Sequence, residues 1–202
     1  ANGAPTGAGA TDEIVVTWAG FEENEDEHVW LRYSTDGGAS RSDPETIESA
    51  GDRGYYSAPA LSPDGTDLYV VYNAFTTPFR NDTTSVRGLV GVVLHADIGP
   101  DGTPTGWTEV HRGAVGDPRG SSQNNIVIEF LGDYVYASAT NEYAVAVWQD
   151  ARNAADCPAV DAFRATFAVL ADDFGMDWQL HDARRRARLL VLVSKQGHCL
   201  ND

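Results

Sequence analysis

Leu68-Tyr69-Val70-Val71-Tyr72-Asn73-Ala74 is the stretch whose reading decides the fold. It is short and rich in β-branched and aromatic side chains, the composition of a buried strand. Two other segments have the same form. Ile14-Val15-Val16-Thr17-Trp18-Ala19-Gly20 precedes it, and Tyr143-Ala144-Val145-Ala146-Val147-Trp148-Gln149-Asp150 follows it. Each carries an aromatic near its end and then runs into a polar loop.

The flanks repeat as well. Tyr55-Tyr56-Ser57-Ala58-Pro59-Ala60-Leu61 and the turn Ser62-Pro63-Asp64-Gly65 lead into the central copy. Asp133-Tyr134-Val135-Tyr136-Ala137-Ser138-Ala139 and the turn Thr140-Asn141-Glu142 lead into the last. Both read as a strand and a tight turn. After each aromatic comes a polar loop and a further strand, at His28–Ser34, Val86–Ala96 and Ala159–Ala168. The unit is four antiparallel strands at a period of ~40–50 residues, the pattern of a propeller blade. The predicted fold is therefore all-β: a β-propeller-type array of about three to four four-stranded antiparallel blades. A sandwich of the same strands is the structural alternative.

Three visible blades are fewer than a closed ring of about four to eight requires. An open array exposes sheet edges and an apolar face. The expectation is a homo-oligomer that completes the ring, or a missing chain segment belonging to a longer protein. Blades are predicted over residues 1–167, and 168–202 is an atypical C-terminal segment that reads as a last strand or packing extension. It holds the turn Asp172-Asp173-Phe174-Gly175, the basic cluster Arg184-Arg185-Arg186-Ala187-Arg188 and the apolar run Leu189–Val193.

The net charge is -16 over 202 residues, with Lys195 the single lysine. Such a surface repels nucleic acid and anionic membranes. No window reaches the ~18 consecutive apolar residues of a membrane-spanning helix. An acidic, lysine-poor surface suits a secreted, extracellular protein or a salt-tolerant one, although a GC-rich genome explains the arginine bias equally well. Cys157 and Cys199 could pair if the chain is exported, and their spacing matches no zinc site.

Ser34-Thr35-Asp36-Gly37-Gly38-Ala39-Ser40 resembles the Asp box of sialidases and other BNR-repeat proteins, Ser-x-Asp-x-Gly-x-Thr-Trp. Ser40 stands at the Thr position and Arg41 at the Trp position. Such a box is a hairpin clamp in which the Asp accepts backbone N–H bonds and Gly takes an angle other residues resist. Asp36 therefore reads as structural. Asp97-Ile98-Gly99-Pro100-Asp101-Gly102 is a weaker echo, with Trp107 on the following strand. The resemblance covers residues 12–167 and implies the fold more strongly than the activity.

The resemblance implies a sialidase toolkit on the propeller face that carries the long loops, opposite the Asp-box turns. Three arginines would clamp a substrate carboxylate bidentately, and Arg53, Arg80 and Arg152 are the best placed. Tyr134 or Tyr56 would be the nucleophile, with Tyr56 also a candidate substrate contact. Asp133 or Asp150 would be the acid/base. The ligand implied is a glycan or glycoconjugate, and the activity a glycoside hydrolase of the exo-sialidase kind. The Arg-Ile-Pro segment that sialidases carry near their start is absent. The alternatives are a non-catalytic carbohydrate- or protein-binding and adhesion module, or an assembly protein. Exposed aromatics on one face, without the charge set, would distinguish the binding module.

No cofactor is expected. Calcium is a candidate ligand of the acidic stretch Glu22–Glu27, which lacks EF-hand alternation, and a solvated loop is the simpler account. His28, His95, His111, His181 and His198 include no pair at metal-ligand spacing. No nucleophile elbow or phosphate-binding glycine loop is present.

Overall fold

The computed structural model describes residues 12–21, 27–78, 85–118 and 134–153. Every regular element among them is a β-strand, so the protein is all-β there. The strands are β1 (Ile14–Phe21), β2 (Glu27–Ser34), β3 (Glu45–Thr46), β4 (Arg53–Leu61), β5 (Asp67–Phe75), β6 (Leu89–Ile98), β7 (Pro104–Arg112), β8 (Tyr136–Ala139) and β9 (Ala144–Val147). They form three antiparallel sheets whose strands follow one another in chain order: β1-β2-β3, β4-β5-β6-β7 and β8-β9. None of these sheets closes on itself.

The chain divides into two compact units. The first comprises Ala1–Phe79, Arg87–Gly116 and Gly132–Arg152, and holds all the described strands. The second comprises Arg80–Val86, Asp117–Leu131 and Asn153–Asp202, and its few described residues form no sheet strand. The boundary expected at residue 167, the strand at 159–168, the basic cluster and both cysteines lie outside the described residues.

The three sheets pack through their apolar faces. Along β5, Leu68, Val70, Tyr72 and Ala74 bury one face of the middle sheet together with Val90, Val92 and Leu94 of β6. Their partners are Val15, Val29 and Leu31 of the first sheet, with Ile47 beyond it. Val71 and Val93 project from the opposite face, against Val135, Ala137, Ala146 and Trp148 of the third. A strand buried on both sides must be apolar at successive positions, which explains the unbroken run in β5. In β2 only Val29, Leu31 and Ser34 are buried, as a half-buried strand requires. At the outer edge of the middle sheet, β7 begins with Pro104 and is largely exposed and polar, which suits an unpaired edge.

The described strands overlap the predicted segments, but β8 and β9 are shorter than the stretches read at Asp133–Ala139 and Tyr143–Asp150. The strand expected from Val86 starts at Leu89, because Val86 lies in the loop and is 64% exposed. The two-sheet sandwich has one buried interface, whereas these strands make two.

One end of the sheets carries the short turns, which touch each other. Tyr33 Oη donates to Thr103 Oγ1 at 3.4 Å, and the Asp64 N–H donates to Asn141 Oδ1 at 3.1 Å. Farther along, Trp148 seats its indole on β6 at Gly91. A Cβ there would sit 1.9 Å from Trp148 Cδ1. Gly91→Ala is expected to destabilise the fold by about 1–3 kcal/mol through overpacking, read as a lower urea midpoint with unchanged slope.

Candidate functional site

The turn end is built from side chains that bond their own backbone. Ser34 Oγ donates to Asp36 Oδ1 at 2.8 Å and accepts the Gly38 N–H at 2.8 Å. Asp36 in turn accepts the Ser40 N–H at 2.8 Å and the Ser40 hydroxyl at 2.6 Å. Gly38, at φ 92°, makes the tight return that a side chain would resist. The Ser40 hydroxyl and N–H, aided by Ser34, hold the Asp36 carboxyl down at about 2. Every lone pair of use is committed to the hairpin, so Asp36 is a clamp and not an acid.

Ser62-Pro63-Asp64-Gly65-Thr66 builds a similar clamp, which its sequence reading as a plain turn does not anticipate. Ser62 Oγ donates to Asp64 Oδ1 at 2.7 Å and accepts the Thr66 and Asp67 N–H groups at 3.1 and 3.0 Å. The signal was legible as Ser-x-Asp followed by Gly and a hydroxyl residue. At the weaker echo, Asp101 accepts the Thr103 N–H at 3.1 Å.

The predicted site residues sit elsewhere. Arg53, first in β4, gives Nε to Glu27 Oε2 at 2.6 Å. Two residues, Tyr55 and Tyr56, oppose Asn73 alone where the β4–β5 register shifts between Gly54 and Ser57. This bulge re-aims both rings: Tyr55 meets Phe75 edge-on at 5.1 Å, and Tyr56 packs with Val71, Val93 and Val135. Tyr56 is thus a packing residue. Asp150 accepts the Arg152 N–H at 3.0 Å and pairs with its guanidinium. Arg152 therefore lowers the Asp150 carboxyl, and Asp150 raises Arg152. Tyr134, just before β8, is 66% exposed, with no Glu bonded to it among the described residues. Asp133, Arg80 and the stretch 22–26 lie outside the described residues.

Asn73 ties the middle sheet to the segment after β9. Fully buried, it donates Nδ2 to the carbonyls of Val90 at 3.2 Å and Gln149 at 3.0 Å, and accepts the Gln149 N–H at 3.1 Å. Buried amides need such partners, and these fix the start of the Asp150–Arg152 loop.

A tyrosine, two carboxylates and an arginine do meet, but not among the residues expected. Tyr72 Oη donates to Asp52 Oδ2 at 2.7 Å and accepts the Ser49 N–H at 2.9 Å. Arg112 forks onto Asp52 at 3.0 and 2.9 Å and also binds Glu109, which accepts Ser49 Oγ at 2.7 Å. Arg112 lowers the Glu109 carboxyl. Burial raises the Tyr72 phenol well above its ordinary value. A nucleophilic phenol needs the opposite shift and access to substrate, and Tyr72 is 0% exposed. The group locks β5 to the loop before β4 and to the end of β7. Nothing in the spacing of Asp52, Tyr72 and Arg112 announces it, because β-pairing alone brings them together.

The third sheet turns Ala137 and Ala146 inward and presents the alternate positions outward. Tyr136, Tyr143, Val145 and Val147 are 65%, 60%, 55% and 55% exposed. With Tyr134 they make an apolar, tyrosine-rich face with no arginine on its strands.

No protein-family model and no solved structure matches the chain. A segment of 43 residues, 21% of the chain, is 44% identical to a formyltetrahydrofolate deformylase of Corynebacterium sp. (strain P-1). That match spans 15% of the deformylase.

Two outcomes follow from the bonded groups. Tyr72→Phe should cost about 1–3 kcal/mol, because it leaves the Ser49 N–H without its acceptor and removes one bond to Asp52 Oδ2, which Arg112 still holds; equilibrium denaturation reads it. The Asp36 carboxyl is lowered in the fold from 3.8 to about 2. Its contribution is therefore complete above its unfolded value and lost as pH falls through about 2. Melting temperature against pH should drop less steeply on the acid side for Asp36→Asn than for the parent, with the two curves converging at the lowest pH.

Proposed function

We propose that the chain is a propeller-type segment of an exported protein that binds glycans or glycoconjugates without cleaving them. Chain-ordered antiparallel sheets packed face to face, with clamped hairpins at one end, support the propeller reading. The acidic, lysine-poor composition supports export and argues against nucleic acid as a partner.

The observation that carries the ligand class is the outer face of β8–β9. Tyr134, Tyr136 and Tyr143 are all at least 60% exposed there. Flat aromatic rings stack on the C–H faces of sugars while phenol hydroxyls reach sugar hydroxyls. The hydrolase reading needs uncommitted arginines beside a tyrosine with a carboxylate partner. Arg53 and Arg152 are each engaged by a carboxylate, and Tyr56 is half-buried against Val71, Val93 and Val135. The hydrolase remains the second reading because Asp150 and Arg152 share an exposed loop. The deformylase likeness covers too little of that protein to bring its activity here.

A glycan array probed with the full chain should show binding that Tyr134→Ala/Tyr136→Ala weakens by about tenfold, the loss of two ring contacts of ~0.5–1.5 kcal/mol each. A fluorogenic sialoside should stay intact in the same preparation. Turnover that Arg152→Ala abolishes would replace this reading with the hydrolase, and an array without signal would remove the glycan ligand.

A further inference from the structure

Asp67 opens β5 and lies directly opposite Asp97 near the end of β6. Paired residues project from one face of a sheet, and so does His95, two positions before Asp97. One donor atom from each of the three lies within 4.8 Å of the others.

Two carboxylates facing each other across a ladder repel. Elsewhere in the described residues, Asp52 and Glu109 share Arg112, Asp150 pairs with Arg152, Glu27 with Arg53 and Glu48 with His28. Here no arginine or lysine pairs with either acid among the described residues. The one positive-capable neighbour is His95, whose Nε2 is 2.7 Å from Asp67 Oδ1. Thr66 Oγ1 holds Asp67 Oδ2 at 2.8 Å, which leaves Oδ1 turned to the imidazole. The His95 ring rests on Tyr69 with centroids 4.8 Å apart. The Asp97 carboxylate is exposed and accepts no hydrogen bond from a described residue. Two donors are thus fixed in orientation, and the third is free to close on them.

We propose that Asp67, His95 and Asp97 bind a divalent transition-metal ion such as Zn²⁺, with water completing the coordination. Zinc bonds of ~2.0–2.2 Å to imidazole and carboxylate place tetrahedral donors about 3.4 Å apart. That separation falls between the 2.7 Å His95–Asp67 contact and the 4.8 Å spread of the group. Ion entry parts His95 from Asp67 slightly and draws Asp97 inward. Calcium, which takes about six to eight oxygen ligands, is poorly served by two carboxylates and a nitrogen. The ion would tie the turn before β5 to the turn after β6.

The test is calorimetric titration of ZnCl2 into the full chain after chelator treatment, beside Asp97→Asn and His95→Gln, with far-UV circular dichroism on each. One ion per chain, with affinity reduced at least about tenfold in either variant, is the expected result. Absence of binding up to about 1 mM ion overturns the proposal. So does affinity that both variants leave unchanged, which would place the ion on other histidines. Should His95→Gln fail to fold, Asp97→Asn decides, because its side chain is exposed and nearly isosteric.

Discussion

The architecture depends on β5 being buried on both faces. Val70 and Tyr72 meet the first sheet while Val71 meets the third, so one strand anchors two interfaces. Apolar burial of ~25 cal/mol per Å² makes such a strand the dominant stabilising element. It also constrains everything beside it. Gly91 must stay small to admit Trp148, and Asn73 must find partners for every polar atom because water cannot reach it. The bulge at Tyr55–Tyr56 gives Asn73 an unpaired position on its β4 side, from which its side chain reaches Gln149.

The two ends of the sheets solve the problem of charge differently. At the turn end, Asp36, Asp64 and Asp101 are lowered by hydroxyls and N–H groups of their own hairpins, beginning with Ser40, Ser62 and Thr103. At the loop end, arginines pair with carboxylates, at Glu27–Arg53 and Asp150–Arg152. Arginines so engaged would have to give up these carboxylates in part to clamp a substrate carboxylate bidentately. The exposed tyrosines of β8–β9 and the segments flanking them carry no such ion pairs among the described residues. Asp67 takes the Thr66 hydroxyl and the His95 imidazole, while Asp97, across the ladder from it, is paired with no arginine or lysine among the described residues.

Much of the site could not be read along the chain. The spacing rules that exposed the Asp box work because its bonds close within about four residues. Tyr72, Asp52 and Arg112 are separated by 20 and 60 positions, and only the register of β4 through β7 makes them neighbours. The histidines looked scattered for the same reason: His95 has Asp97 two positions on, but its partner Asp67 arrives only from the adjacent strand. Tyr56 was a candidate nucleophile or substrate contact, yet at the bulge it is half-buried and packs against Val71, Val93 and Val135.

The sequence by itself determined the position of most described strands, their antiparallel order, the hairpin clamp at Ser34–Ser40 and the strongly negative net charge. Those properties follow from local backbone preference, side-chain alternation and summed charge, none of which needs to know where distant residues lie. Tertiary structure alone decided which face of each strand is buried and which arginines are already neutralised. It also decided which carboxylates face one another across β5 and β6. Those outcomes depend on register, and a register is fixed only when the whole apolar face finds its partner.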